Sequence, residues 1–189
     1  EFRRVLFRSV PIENVEMIKM CWDIPSFYNT PMASPVHFIS HILGHEGKGT
    51  IHYLLYNHGY ISKLTSGPFQ FVFDRCIFQI DITLTDKGKE HRDDIICVVM
   101  AYINLLRLQI HSEHLKNLYD ELLTLDAFEF KYMTKCGAED RALSFCKLIS
   151  EYEFDLKDIL ILPYAGENYE PNVKNNMDTV LNELTLDKV

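Results

Sequence analysis

From Cys76 to Leu84 the chain alternates: Cys76, Phe78, Ile80, Ile82 and Leu84 are apolar, while Gln79, Asp81 and Thr83 between them are polar and Ile77 alone breaks the pattern. Successive side chains of a strand point to opposite faces, so this segment has one wholly apolar face and one largely polar face. A strand of that kind belongs to a sheet covered on one side only. The covering layer must come from the rest of the chain, and the rest of the chain reads mainly as helix.

Val15 to Trp22 is a second strand, ending at Pro25, and Tyr60 to Thr65 is a short third one. Asn29 to Pro35, with two prolines, is a loop. Phe38, Ile39, Ile42 and Leu43 recur at helical spacing from Val36 onward, and Gly44, Gly47 and Gly49 break that helix. A short helix, Ile51 to Asn57, closes at Gly59. Thr85 and Asp86 can cap the next helix, whose buried face is expected to be Ile95, Val98, Val99, Tyr102, Leu105 and Leu106. Ser112 opens another, with Leu115, Leu118, Leu122, Leu125 and Phe128 along one side. Glu139 to Tyr152 is helical, Ile159 to Leu162 is a short apolar segment, and a last helix covers Asn172 to Leu184. The order predicts an α+β fold with helices packed on one face of a mixed or antiparallel sheet.

A chain of 189 residues, 47% of them hydrophobic, suffices for one compact domain. Glu1 to Ser9 carries three arginines and joins abruptly to the patterned sequence, so it reads as a cloning or adapter scar, with an Arg-rich transit peptide as the alternative. Residues 10–189 then form a single α+β domain, read as truncated at both ends because a further strand is expected after Val189. Setting aside the three arginines and the one glutamate of the scar takes the formal charge from −8 to −10. An acidic domain repels phosphate backbones, which argues against nucleic acid as a partner and leaves basic peptides acceptable. Tyr102 and Asn104 interrupt the longest apolar run, so no membrane span is expected. Five cysteines without a C-x-x-C pair, lying mostly in apolar stretches, suggest reduced core thiols and a cytoplasmic location.

The segment with chemical content is His37 to Thr50, H-F-I-S-H-I-L-G-H-E-G-K-G-T, in which His37, His41 and His45 lie four apart and Glu46 follows. His41 and His45 could share a metal, but an H-E-x-x-H site needs its glutamate between the histidines, and Ile42, Leu43 and Gly44 stand there. The inverted H-x-x-E-H is absent from the chain. Gly44, Gly47, Lys48, Gly49 and Thr50 suggest a phosphate loop, yet Gly49 separates the lysine from the threonine and a helix precedes where a strand should. The third reading, a solvated polar helix face with a glycine turn, is the one spacing alone favours.

The same run is similar to the H-x-x-x-x-x-x-G-H-E-G-x-G-S segment that opens the second domain of the nardilysin and insulysin peptidases. Val10 to Pro25 resembles the opening strand of that domain, Tyr60 to Gly67 its following strand, and Ile82 to Gly88, I-T-L-T-D-K-G, its strand-to-helix junction, nearest to nardilysin. The resemblance implies a pitrilysin-type α+β domain. It implies a zinc metalloendopeptidase as the parent protein, with zinc bound by an inverted motif in another domain, and no metal or catalytic residue in this segment. It also implies an exosite that holds the N-terminal end of a peptide substrate.

Carried over by position, that exosite comprises His37, His41, Gly44, Glu46, Leu64 and Ser66, with Ser66 standing where insulysin has a glycine. Leu64 to Ser66 would offer backbone groups to an extended peptide, Glu46 would receive its ammonium, Gly44 would admit its backbone, and His37 and His41 would form a titratable polar wall. The expected partners are peptide substrates and the other domains of the same chain. A parent that has lost catalysis, leaving this domain as a binding or scaffolding module, is the alternative.

Overall fold

A computed structural model describes residues 15–25, 35–71, 75–151 and 171–189. The elements in chain order are β1 (Met17–Pro25), α1 (Pro35–Gly44), α2 (Ile51–Asn57), β2 (Ile61–Phe71), β3 (Arg75–Leu84), α3 (Asp86–Glu90), α4 (Arg92–Gln109), α5 (Glu113–Lys131), α6 (Ala138–Glu151) and α7 (Pro171–Glu183). The expected strands and helices are present. The expected loop, Asn29 to Pro35, lies outside the described residues except for Pro35, which starts α1. The apolar segment Ile159 to Leu162 and the segment Glu1 to Ser9 also lie outside them.

The strands form one antiparallel sheet in the order β1-β3-β2, with the alternating strand in the middle. Cys76, Phe78, Ile80, Ile82 and Leu84 are all buried on one face, and Met20, Trp22, Ile24 and Leu64 join them from the flanking strands. Burying each large aliphatic or aromatic side chain there contributes about 1.5–3 kcal/mol. Val36, Phe38, Ile39, Ile42 and Leu43 of α1 pack onto this face, as do Val173, Met177, Val180 and Leu181 of α7. Two side chains tie the end of α7 and the residues after it down: Trp22 Nε1 donates to the Thr185 carbonyl at 2.9 Å, and Arg107 Nη2 donates to the carbonyls of Leu181 and Leu184 at 2.6 and 2.9 Å.

Helix ends follow their local chemistry. Thr50, Thr85 and Ser112 each accept a hydrogen bond from the backbone N–H three residues on, which caps α2, α3 and α5. At the end of α2, Gly59 adopts φ +69°, and the N–H groups of Gly59 and Tyr60 return to the carbonyls of Tyr56 and Leu55 in a Schellman arrangement.

Four expectations need correction. Thr85 caps the short α3 rather than the long α4, which begins only at Arg92. The buried stripe of α4 is Ile95, Val99, Met100, Ile103 and Leu106; Val98 and Tyr102 are half-buried and Leu105 is exposed. Apolar residues surround this helix, so periodicity could not choose its inner face. On α5, Leu115, Tyr119 and Leu122 are buried, with Tyr119 set edge-on against Phe38 at 5.1 Å, while Leu125 and Phe128 are exposed. Finally, only Cys76 is a core thiol; Cys21, Cys97, Cys136 and Cys146 are free and exposed. No single helix among the described residues is long and apolar enough to cross a membrane.

Candidate functional site

Which way the backbone of β2 faces decides what it can bind. The N–H of Leu84 donates to the Glu16 carbonyl at 2.9 Å, making these two a hydrogen-bonded pair that continues the β1–β3 register. Backbone groups alternate sides along an antiparallel ladder. The even-numbered residues of β3 therefore bond to β1, and the odd-numbered ones to β2. Thr83, Asp81 and Gln79 pair with Lys63, Thr65 and Gly67, whereas Leu64 and Ser66 lie across from Ile82 and Ile80. The N–H and C=O groups of Leu64 and Ser66 consequently point away from β3, toward an edge where no further strand pairs among the described residues. Pro68, also turned outward, offers only its carbonyl, as suits a proline on an edge strand.

Helix α1 runs beside this edge. Ser40 Oγ donates to the Ser66 carbonyl at 2.7 Å, and Ser66 Oγ donates to the Ser40 carbonyl at 2.8 Å. Gly44 sits one turn further on, where a Cβ would lie 3.1 Å from Ser66 Oγ and 3.8 Å from the Ser66 nitrogen. The missing side chain keeps the Ser66 N–H open. Leu64 buries its side chain in the core, at 2% exposure, so any binding role falls to its backbone. Ser40 was not among the expected site residues; its position one turn before Gly44 was the available signal.

The remaining expected residues divide into two groups. His37 is half-buried, His41 is exposed, and the His41 and His45 rings meet edge-on with centroids 5.7 Å apart. Although His41 is exposed as a residue, partial desolvation of its ring pushes the imidazole below its ordinary pKa, the neighbouring His45 and His37 act the same way, and Asp126 on α5 opposes them. Asp126 has its carboxyl raised by burial, against the pull of His37. Its Oδ2 is buried without a hydrogen bond. Asp126, one turn beyond the buried Leu122, was missed because the α5 stripe was read only for its apolar residues.

Glu46 forms the second group. Its carboxylate is 75% exposed, with Oε1 4.0 Å from Nε2 of His52. His52 is itself buried, stacks on Tyr56 at 5.6 Å and leaves Nδ1 without a partner. His45 Nδ1 accepts from the Gly47 N–H at 2.9 Å. Among the described residues no group of three or more His, Cys, Asp or Glu is placed to hold a metal ion.

An antiparallel sheet with one covered face and an outward-turned edge, packed under helices, defines a domain of the α+β class. The family described as the peptidase M16 inactive domain matches residues 2–122, and the chain belongs to that family. The match begins inside the N-terminal segment set aside above.

Nardilysin from Homo sapiens is 29% identical over 187 residues, covering 97% of this chain and 16% of the relative. The insulin-degrading enzyme of Drosophila melanogaster is 29% identical over 178 residues, covering 92% and 17%. The chain therefore spans about one sixth of the length of the curated relatives it matches. Among solved structures, pitrilysin superposes with a TM-score of 0.80 at 18% identity, covering 92% of this chain and 18% of that one. A peptidase M16 inactive domain from Pseudomonas fluorescens gives 0.59 at 15% identity, covering 93% and 40%. These likenesses establish the α+β fold as that of pitrilysin.

Proposed function

We propose that this chain is the substrate-holding domain of a zinc metalloendopeptidase, with the zinc bound outside this segment. An extended peptide adds to the outer edge of β2, pairing with the backbone of Leu64 and with the N–H of Ser66. Gly44 leaves room for its backbone, Glu46 receives its terminal ammonium, and His37 and His41 line the approach. The reading rests on one observation: the main-chain groups of Leu64 and Ser66 point away from β3 while Gly44 keeps the Ser66 N–H uncovered. Family membership and the relatives' names supply the peptidase context. The free cysteines suit a reducing, cytoplasmic compartment.

The test is Glu46→Gln in the full-length protein, with affinities measured for one peptide carrying a free N-terminus and for its acetylated form. Loss for the free peptide alone, by about tenfold, is expected for a charge-assisted contact. Equal loss for both peptides would remove Glu46 from the role.

A further inference from the structure

Among the described residues His52 is the one polar residue that is buried. Its Nδ1 is shielded from solvent and takes no hydrogen bond. The ring stacks on Tyr56 with centroids 5.6 Å apart and planes 16° from parallel, which fixes its orientation. The other buried residues of α2, Ile51 and Leu55, are apolar. An apolar side chain at position 52 would fill the same space without an unpaired nitrogen, so packing does not account for a histidine here.

What the imidazole reaches is Glu46, whose Oε1 lies 4.0 Å from Nε2. The backbone that carries Glu46 is pinned. His45 Nδ1 accepts from the Gly47 N–H at 2.9 Å, and Thr50 Oγ1 donates to the Gly47 carbonyl at 2.8 Å. The same Thr50 hydroxyl accepts from the Tyr53 N–H at 3.3 Å and caps α2. One threonine therefore joins the loop bearing Glu46 to the helix bearing His52. Only the Glu46 side chain, largely exposed, is left to turn.

The shielding of Nδ1 also selects a tautomer. A proton on Nδ1 would bury a donor with no acceptor, whereas a proton on Nε2 leaves Nδ1 as a bare lone pair; buried unpaired donors are the rarer of the two. Nε2, the nitrogen that approaches Glu46, then carries the N–H. A small rotation of the Glu46 side chain closes 4.0 Å to hydrogen-bonding distance.

We infer that His52 is a positioning residue for Glu46: its Nε2–H holds one carboxylate oxygen and leaves the other for the terminal ammonium of a bound peptide. The inference rests on the reading of Glu46 given above. Without that bond an exposed glutamate spreads over several rotamers, and the freedom is lost when a peptide binds. His52, being buried, acts through Glu46 and needs no contact with the peptide.

The experiment measures affinities of the full-length protein for one extended peptide with a free N-terminus and for its acetylated form. His52→Leu, which keeps an apolar filling of the site, is expected to weaken binding of the free peptide by about fivefold, the worth of one ordinary hydrogen bond, and to leave the acetylated one unchanged. His52→Gln, whose amide nitrogen can stand in for Nε2, should retain most of the wild-type affinity. In a Glu46→Gln background His52→Leu should have no further effect, because the histidine acts only through the carboxylate. Equal loss for both peptides, no loss for either, or a His52→Gln protein as weak as His52→Leu overturns the positioning role. If Glu46→Gln alone still weakens only the free peptide, the role of Glu46 stands in each of those cases. A Glu46→Gln protein that binds the free peptide as the wild type does overturns that role and the positioning of Glu46 together.

Discussion

Ser40 and Ser66 exchange hydrogen bonds, each hydroxyl donating to the other's backbone carbonyl at 2.7 and 2.8 Å. This reciprocal pair fastens α1 to the edge strand β2 and thereby sets the distance between Gly44 and the Ser66 N–H. Each bond is worth about 1 kcal/mol net. Because the two share both partners, their loss should not be additive. Ser40→Ala and Ser66→Ala are each expected to lower unfolding free energy by about 1–2 kcal/mol, and the double variant by clearly less than the sum. Denaturant unfolding of the four species measures the coupling; simple additivity would show the two hydroxyls to be independent.

Gly88 should tolerate no side chain. A Cβ there would stand 1.9 Å from the Tyr60 carbonyl oxygen, which also accepts from the Thr85 N–H at 3.0 Å. The obstacle is backbone, so relief requires α3 to move away from β2. Gly88→Ala is expected to destabilise by about 3 kcal/mol or more, in the range of severe overpacking. A thermal melt close to that of the wild type would contradict the packing described.

The resemblance carried His37, His41, Gly44, Glu46, Leu64 and Ser66, and spacing by itself set the histidines in one stripe, but neither carried what connects them. The alternation from Cys76 to Leu84 was legible because one face of β3 is buried and the other is not. The inner faces of α4 and α5 were not legible: α4 is apolar nearly all round, and the position of Tyr119 against Phe38 depends on tertiary packing. Ser40, Asp126 and His52 were missed for a related reason. Each acquires its role from a partner 26, about 89 or 6 residues away in sequence, and only folding brings those partners together.

His41 makes stability depend on pH with a definite sign. Partial desolvation and the adjacent histidines hold its folded-state pKa below the ordinary value of 6.5. The unfolded chain therefore takes up the proton first as pH falls, and its contribution to stability, present above about pH 6.5, is lost as pH drops through the folded value. His41→Gln should flatten the fall in the urea midpoint between about pH 7 and about pH 5. An unchanged slope would place the dependence elsewhere.

Thiol chemistry offers a check on burial. Cys76 is buried and its pKa is pushed up to about 11, chiefly by desolvation. Cys21, Cys97, Cys136 and Cys146 are exposed. A maleimide should label those four in the native protein and reach Cys76 only after unfolding. Rapid native labelling of Cys76 would mean that the sheet face is not covered as described.

Amide hydrogen exchange at Leu64 and Ser66 in the full-length protein, with and without a bound peptide, tests strand addition most directly. Lys63 and Thr65 already bond to β3, whereas the Leu64 and Ser66 amides point outward. Peptide binding should slow exchange at Leu64 and Ser66 by about tenfold or more and change Lys63 and Thr65 little. Unaltered exchange at both outward amides, in a sample shown to hold peptide, would contradict the assignment of this edge as the substrate-holding site.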